Sequence, residues 1–243
     1  MNGTGRRALV TGGSGGIGAA ICRCLAAAGH EVLVHAHRGV AAAESIAGEI
    51  CAAGGRARSI AFDVTDPQAT RAALEPLADE APVQILVNNA GIHDDGVFAG
   101  MSAGQWGRVI DVSLNGFYHV TQPLLLPMIG SRWGRIVNVT SVAALLGNRG
   151  QVNYAAAKGA LHGATKALSL EVASRGITVN AVAPGVIATA MSGGAFDEAR
   201  IADVVPMKRA GTALEVASLV GYLASEEAAY LTGQIIAVGG GLA

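Results

Sequence analysis

Tyr154 and Lys158 are the pair with the clearest chemical potential in this sequence, because they lie four positions apart in a helix-like segment that begins at Asn153. That spacing places both side chains on one helix face, about one turn apart. A phenol has an ordinary pKa of about 10, which must fall by up to about 3 for acid–base work near neutral pH. A neighbouring ammonium favours the phenolate. The pair therefore predicts a proton donor, with Ser141 placed to hydrogen-bond the oxygen of a carbonyl that accepts hydride.

A glycine-rich loop from Thr11 to Gly18 indicates a dinucleotide site. The loop follows a predicted strand and opens a predicted helix, which is the context that a phosphate-binding loop requires. Its glycines allow the backbone to approach a pyrophosphate, and the helix N-terminus supplies N–H groups and partial positive charge. Glycines also form ordinary turns, so the position after the first strand is what favours binding. We expect cofactor contacts from Gly12, Ser14, Gly15, Gly16, Ile17 and Gly18.

The end of the second predicted strand bears on which cofactor is used. An acid there binds the ribose hydroxyls of NAD, whereas a basic residue accommodates the extra phosphate of NADP. The segment from Val34 to Arg38 contains no acid. His37 and Arg38 could hold a 2′-phosphate by charge-assisted hydrogen bonds, or both could simply point into solvent. The segment favours NADP over NAD.

Strand-like and helix-like segments alternate along the chain. This alternation predicts an α/β fold with a doubly wound parallel sheet of the Rossmann type and helices on both faces. Polar and glycine residues follow several strands, at the carboxyl ends where such sheets bind ligands. The predicted strands are Ala8–Val10, Glu31–His35, Ser59–Phe62, Ile85–Val87, Arg135–Val139, Ile177–Val182 and Gln234–Val238.

Composition and charge exclude several function classes. The chain has 243 residues, of which 51% are apolar, and we expect residues 1–243 to form a single domain. A formal charge of -1 provides no sustained field for a nucleic acid or an anionic membrane. No apolar run approaches the length of about 18 residues that spans a bilayer, and no secretory signal is recognisable at the N-terminus.

The cysteines and a polar loop argue against a disulfide framework or a metal site. The three cysteines are an odd number without zinc-site spacing, so reduced thiols in a cytoplasmic enzyme are expected. His93, Asp94 and Asp95 are clustered, but such loops are usually solvated, and no metal is predicted.

Over nearly its whole length the sequence resembles a short-chain dehydrogenase/reductase. The resemblance rests on Thr11-Gly12-x-x-x-Gly16-x-Gly18, Asn88-Asn89-Ala90-Gly91, Ser141, Tyr154 with Lys158, and Pro184-Gly185, in the order and spacing of the family. It implies that Tyr154 donates the proton, Lys158 binds the nicotinamide ribose and lowers the tyrosine pKa, and Ser141 orients the substrate. It also implies cofactor contacts from Asp63, Val64, Asn89, Ala90, Gly91, Pro184, Gly185, Ile187 and Thr189.

One position departs from the family pattern. The family usually has an asparagine that supports a water-mediated proton relay to the lysine, and Ser113 stands at that position here. Asn115 lies two residues further on, about 200° around a helix, and is expected to face elsewhere. Either the Ser113 hydroxyl holds the water or the relay is weakened.

Within the family, the segments 147–154 and 173–180 resemble the β-ketoacyl-[acyl carrier protein] reductases most closely. The resemblance implies NADPH-dependent reduction of a 3-oxoacyl thioester, with Arg132 and Arg175 docking an acidic acyl carrier protein or, alternatively, being ordinary surface arginines. The segments 34–38 and 122–130 resemble a subgroup associated with aryl polyene and xanthomonadin-like pigments rather than fatty-acid synthesis. A homotetramer is implied, and residues 186–207 are expected to form a lid in which Met191, Phe196 and Met207 contact the acyl chain or pack in the core.

Two rival functions remain open. One is a family member that acts on a free alcohol, sugar or steroid. The other is a catalytically silent nucleotide-binding scaffold, suggested by Ser113 in place of the asparagine.

Overall fold

A seven-stranded parallel sheet forms the centre of the computed structural model, which describes residues 5–188 and 198–243. The strands are β1 (Arg7–Val10), β2 (Glu31–Ala36), β3 (Arg56–Ala61), β4 (Val83–Asn88), β5 (Gly134–Val139), β6 (Ile177–Pro184) and β9 (Ile235–Val238). They lie in the order β3-β2-β1-β4-β5-β6-β9. Strand order reverses between β1 and β4, the kind of switch point at which doubly wound sheets bind ligands.

Helices cover both faces of the sheet, as the alternation predicted. The helices are α1 (Gly16–Ala27), α2 (Val40–Ala52), α3 (Pro67–Glu80), α4 (Ala103–Ile110), α5 (Gly116–Gly130), α6 (Ala143–Leu146), α7 (Val152–Val172), α8 (Glu198–Val204) and α9 (Ala213–Leu223). A second, two-stranded sheet pairs β7 (Ile187–Ala188) with β8 (Gly211–Thr212). In residues 5–188 and 198–243, no helix is both long enough and apolar enough to span a bilayer.

Two hydrophobic cores lie on opposite faces of the sheet because successive strand side chains point to opposite sides. In β1, Ala8 and Val10 join the core beneath α1, α2 and α9, whereas Leu9 joins the core beneath α3, α5 and α7. Strands buried on both faces read as nearly continuous apolar runs, which is why the sequence revealed them. The predicted doubly wound α/β fold is therefore confirmed.

The edge strand β3 differs from its prediction. It begins at Arg56, three residues before the predicted start, and ends at Ala61, so Phe62 lies just beyond it. Its residues are largely exposed or half-buried. An edge strand has less apolar surface to bury than a central one, so an apolar run marks only part of it.

Helices α4 and α5 are joined by one π-helical turn, Asp111–Asn115. Such a turn widens the helix locally and is often found at functional sites. It contains Ser113, the residue at the position where the family resemblance implies an asparagine.

Candidate active site

Ser141, Tyr154 and Lys158 come together where β5 ends and α7 begins. The Ser141 side chain hydrogen-bonds the Tyr154 side chain, and Ser141 Oγ also accepts the N–H of Ala143 at 3.1 Å. Lys158 Nζ lies 5.9 Å from the centre of the Tyr154 ring. The structure therefore brings the three predicted catalytic side chains into one cluster.

The protonation of this cluster follows from its burial. Burial raises the pKa of Tyr154 above its ordinary value, the hydrogen bond with Ser141 opposes that rise, and the negative charge of Asp95 adds to it. Burial lowers the pKa of Lys158 to about 8. In the protein alone, the net direction for the tyrosine pKa is upward and Lys158 is not among its causes, so the expected fall beside the lysine is not seen. The phenol therefore keeps its proton near neutral pH and can donate it.

Ser113 lies close to Lys158, the predicted partner of Tyr154. A Cβ added to Gly91 would lie 2.9 Å from Lys158 Nζ and 3.6 Å from Ser113 Oγ. Ser113 is buried, and its hydroxyl has no hydrogen-bond partner within the described part of the chain. Asn115, by contrast, is exposed and donates to the Asp111 carboxylate at 2.7 Å. Of the two candidate residues in this turn, Ser113 is the one beside the proton-transfer pair.

The predicted phosphate loop is tied to the end of β4. Thr11 Oγ1 accepts the N–H groups of Asn89 and Ala90, both at 3.0 Å. Asn89 Nδ2 in turn donates to the carbonyl oxygens of Thr11 and Gly12 at 2.9 and 3.1 Å. These contacts join the glycine loop and the Asn88–Gly91 motif into one unit at the switch point.

The loop has the features that a pyrophosphate needs. Gly12 has a φ of 62°, in the left-handed region that favours glycine. A Cβ on Gly18 would lie only 2.2 Å from the Gly12 carbonyl oxygen, so α1 packs directly on the loop. Among the described residues, no side chain caps α1 at Gly15, whose own N–H donates to the Gly12 carbonyl oxygen at 3.1 Å. This leaves the backbone N–H groups of Gly16, Ile17 and Gly18 to an anion. Ser14 and Ile17 lie in the same stretch, and the whole loop fits a dinucleotide.

The adenine end combines residues from two strands. His37 and Arg38 are exposed just after β2, and His37 Nε2 lies 3.5 Å from a carboxylate oxygen of Asp63, which follows β3. Burial raises the pKa of Asp63, but hydrogen bonds from Thr65 and the nearby His37 and Arg38 bring it below its usual value. The fold therefore brings an acid, Asp63, beside the end of β2, although the sequence has no acid at that strand end.

Val64 follows Asp63 at the predicted adenine end of the site. The residue is buried, and a Cβ on Gly116 would lie 2.9 Å from its side chain. His119 Nδ1 lies 2.8 Å from the Val64 carbonyl oxygen. The start of α5 therefore holds this segment in place.

The nicotinamide end is only partly described. Pro184 ends β6, and Gly185 donates its N–H to the Val238 carbonyl oxygen at 2.9 Å. Ile187 is held in the pairing of β7 with β8. Thr189, Met191, Phe196 and the central part of the predicted lid, residues 189–197, lie outside the described residues. Met207 is exposed, which disagrees with the alternative that it packs in the core.

Several residues that shape the site were not identified from the sequence. Asn153 is fully buried, accepts the Tyr154 N–H at 2.8 Å and donates to the carbonyl oxygens of Asp94 and Gln105. Gln151 Nε2 donates to Asp95 at 2.9 Å. The start of α7 is thus tied to the loop after β4. In the sequence, the signal that could have identified Asn153 and Gln151 is their position just before Tyr154.

The polar loop at His93 is occupied by protein contacts. Asp94 pairs with Arg108 and accepts from Gln105, and Asp95 accepts from Gln151. Across residues 5–188 and 198–243 there is no group of three or more histidine, cysteine or acidic side chains placed to hold a metal ion.

Arg132 and Arg175 lie at the opposite edge of the sheet from Tyr154. Arg132 precedes β5 and Arg175 precedes β6, whereas the catalytic cluster follows the ends of these strands. Both arginines are exposed, and their segments touch, because a Cβ on Gly176 would lie 2.4 Å from the Arg132 carbonyl oxygen. A six-residue strand spans about 20 Å, so the two arginines do not border the Tyr154 cluster of the same chain.

The chain matches a protein-family profile and several known proteins. The short chain dehydrogenase family profile matches residues 6–200. Nodulation protein G of Rhizobium sp. strain N33 is 47% identical over 243 residues, covering 99% of this chain and 98% of that protein. The 3-oxoacyl-[acyl-carrier-protein] reductase FabG of Escherichia coli K12 is 44% identical over 246 residues, covering 100% of this chain and 99% of that protein.

A solved structure of a proposed gluconate dehydrogenase from Agrobacterium tumefaciens superimposes with a TM-score of 0.95 at 33% identity, covering 98% of this chain and 96% of that one. Family membership implies an oxidoreductase with a nicotinamide cofactor, which agrees with the phosphate loop and the Ser141–Tyr154–Lys158 cluster. The chain belongs to the short-chain dehydrogenase family.

Proposed function

We propose that this chain reduces a 3-oxoacyl thioester carried on an acyl carrier protein to the 3-hydroxyacyl thioester, with NADPH as the hydride donor. The observation that carries the proposal is the cluster of Ser141, Tyr154 and Lys158, in a chain 44% identical over its full length to FabG of Escherichia coli. The sequence identity to FabG supports a 3-oxoacyl thioester as the substrate. The cluster supports proton transfer from Tyr154 to the substrate.

The protein's part in the reaction is to hold the ketone and supply one proton. A nicotinamide cofactor bound at this site would supply the hydride to the carbonyl carbon. Ser141 donates a hydrogen bond to the ketone oxygen, and Tyr154 transfers its phenolic proton to that oxygen as it becomes negative. The O–H bond of Tyr154 breaks, the O–H bond of the product forms, and the phenolate recovers a proton from solvent. Lys158 stabilises that phenolate.

Ser113 is proposed to assist the return of the proton. Its hydroxyl is buried beside Lys158 and lacks a protein partner in the described residues. A buried polar atom of this kind is usually satisfied by water. A water bonded to Ser113 would continue the path from Lys158 towards solvent.

The preference for NADPH over NADH is supported by the basic pair at the end of β2. His37 and Arg38 are exposed, and Arg38 can contact phosphate through two parallel N–H groups. The Asp63 carboxylate, which lies 3.5 Å from His37 Nε2, offsets the charge of Arg38. The proposal therefore rests on the paired N–H groups that Arg38 can offer a 2′-phosphate.

Carrier docking at Arg132 and Arg175 is proposed together with a homotetramer. The two exposed arginines form one surface suited to an acidic carrier, but this surface lies across the sheet from its own Tyr154. A second copy of the chain could bring its site near that surface. We further propose a single domain over residues 1–243, a cytoplasmic location, and a role in fatty-acid or aryl polyene pigment synthesis.

A second candidate is oxidation or reduction of a free alcohol, sugar or steroid, which the similarity to the proposed gluconate dehydrogenase favours. Steady-state rates with acetoacetyl carrier protein, acetoacetyl-CoA and a panel of free ketones and polyols distinguish the two. We expect the highest kcat/KM with the carrier substrate. Turnover confined to free ketones or polyols would exclude the carrier assignment, and cofactor binding without turnover of any substrate would indicate a silent scaffold.

A further inference from the structure

His35 is a buried imidazole that links three strand ends and has no part in the chemistry described above. It lies near the end of β2 and is 2% exposed. Its Nδ1 accepts the N–H of Gly12 at 3.0 Å, and its Nε2 lies 3.0 Å from the carbonyl oxygen of Phe62. The two rings of His35 and Phe62 are also in contact, with centroids 4.1 Å apart.

These contacts assign the tautomer of the ring. A backbone N–H can only donate, so Nδ1 must be the unprotonated acceptor. The single proton of the neutral imidazole is then on Nε2, which donates to the Phe62 carbonyl oxygen. Burial lowers the pKa of His35 to about 4, which agrees with a neutral ring. Asp63 and His37 are the nearby ionisable groups, and their effects oppose each other.

The position of His35 relates the two ends of the cofactor site. Gly12 forms the first turn of the phosphate loop, and its carbonyl oxygen accepts from Gly15 N–H within the loop and from Asn89 Nδ2 on the β4 side, both at 3.1 Å. Phe62 directly precedes Asp63, whose carboxylate lies beside His37 at the adenine end. One ring therefore spans the distance between the pyrophosphate turn and the adenine pocket.

We propose that His35 is a positioning residue for the cofactor: its two ring nitrogens set the phosphate loop at a fixed distance from the adenine pocket and thereby determine affinity for the ADP half of NADPH. The inference rests on the proposed use of a nicotinamide cofactor at this site, but it concerns binding and is independent of the ketone substrate.

Three variants separate the two contacts. His35→Asn retains an acceptor near the Nδ1 position for Gly12, His35→Gln retains a donor near the Nε2 position for Phe62, and His35→Leu removes both. Asn180→Ala is the matched control, because Asn180 is equally buried and bonds two backbone groups, Leu231 and Gln234, far from the phosphate loop. The readouts are the Kd of NADPH and of 2′,5′-ADP for the substrate-free protein, and kcat at saturating NADPH.

We expect His35→Leu to weaken NADPH and 2′,5′-ADP binding by about tenfold or more, the size expected when a buried donor loses its partner. His35→Asn and His35→Gln should each recover part of that loss. For the variants that fold, kcat at saturating NADPH should stay within about threefold of the wild-type value, because a positioning residue for the ADP half acts on binding and not on the chemical step. Asn180→Ala should lose stability without losing affinity.

Imidazole ¹⁵N NMR of the unmodified protein tests the tautomer without any substitution. A proton on Nδ1 at pH 7, or NADPH affinity within twofold of wild type in His35→Leu, would overturn the inference. If the wild-type protein binds neither NADPH nor NADH, the proposed function itself fails; intact binding that His35→Leu leaves unchanged removes only the role of His35.

Discussion

Lys158 Nζ donates a hydrogen bond to the carbonyl oxygen of Val139 at 2.9 Å, which anchors the buried ammonium to the last residue of β5. Ser141 lies two residues beyond Val139, so the same strand end holds both the lysine and the serine of the site. Burial lowers the pKa of Lys158 to about 8. A lysine with that pKa can exchange its proton close to physiological pH, as the recovery of the Tyr154 proton requires.

Replacement of Tyr154 tests the proton donor. We expect Tyr154→Phe to lower kcat by about 10²- to 10⁴-fold, because general acid catalysis contributes that much, while NADPH still binds. Steady-state kinetics and fluorescence titration of NADPH measure the two effects. Wild-type turnover in Tyr154→Phe would exclude the tyrosine as the acid.

Replacement of Ser113 tests the proposed proton path. Ser113→Ala should leave the free energy of unfolding unchanged or raise it by about 1 kcal/mol, because the hydroxyl has no protein partner to lose in the described structure. If the hydroxyl holds a relay water, kcat should fall and the solvent deuterium isotope effect should grow.

Thr178→Val is the matched control for Ser113→Ala. Thr178 also carries a buried hydroxyl without a partner among the described residues, but it lies near the start of β6 at the opposite edge of the sheet. A similar rate loss in both variants would show that the effect of Ser113→Ala is not specific to the site.

Removal of Arg38 tests cofactor choice. We expect Arg38→Ala to raise the KM for NADPH by about tenfold, the loss of one charge-assisted phosphate contact, with little change for NADH. Comparison of kcat/KM for the two donors measures this preference. Equal or better use of NADH by the wild-type protein would contradict the role given to Arg38.

Charge reversal at the opposite edge of the sheet tests carrier docking. The double variant Arg132→Glu and Arg175→Glu should raise the KM for acetoacetyl carrier protein several-fold while leaving acetoacetyl-CoA unaffected, because charges at the rim of an interface act mainly on association. Arg71→Glu, an exposed arginine on α3, is the control. Equal effects on both substrates would exclude a docking role.

Acid stability tests the burial of His35. Its pKa is about 4 in the folded protein against 6.5 for an exposed histidine, so the unfolded chain binds more protons between these values. The neutral form of His35 therefore contributes about 3 kcal/mol to the free energy of unfolding above about pH 6.5. This contribution is lost as pH falls towards 4. Urea unfolding at pH 7, 5.5 and 4.5 should show a smaller decline for His35→Asn than for wild type, and parallel declines would contradict the prediction.

Central strands buried on both faces appear in the sequence as apolar runs, and the glycines of the switch point follow the first strand. The sequence alone therefore determined the α/β fold. It also singled out Tyr154 and Lys158, whose helical spacing is weak evidence by itself and gained weight from Ser141 and the loop from Thr11 to Gly18. Edge strand β3 was only partly recognised, since its exposed residues carry less of that hydrophobic signal.

Only the tertiary structure decided the relations between residues distant in the chain. It brought Asp63 beside His37, placed His35 between Gly12 and Phe62, and set Arg132 and Arg175 across the sheet from Tyr154. Local patterns encode which face of a strand is buried, but hydrogen-bond partners on neighbouring strands depend on strand order and register. Strand order and register are set by packing of the whole chain, and they bring together the residues of the proposed cofactor site.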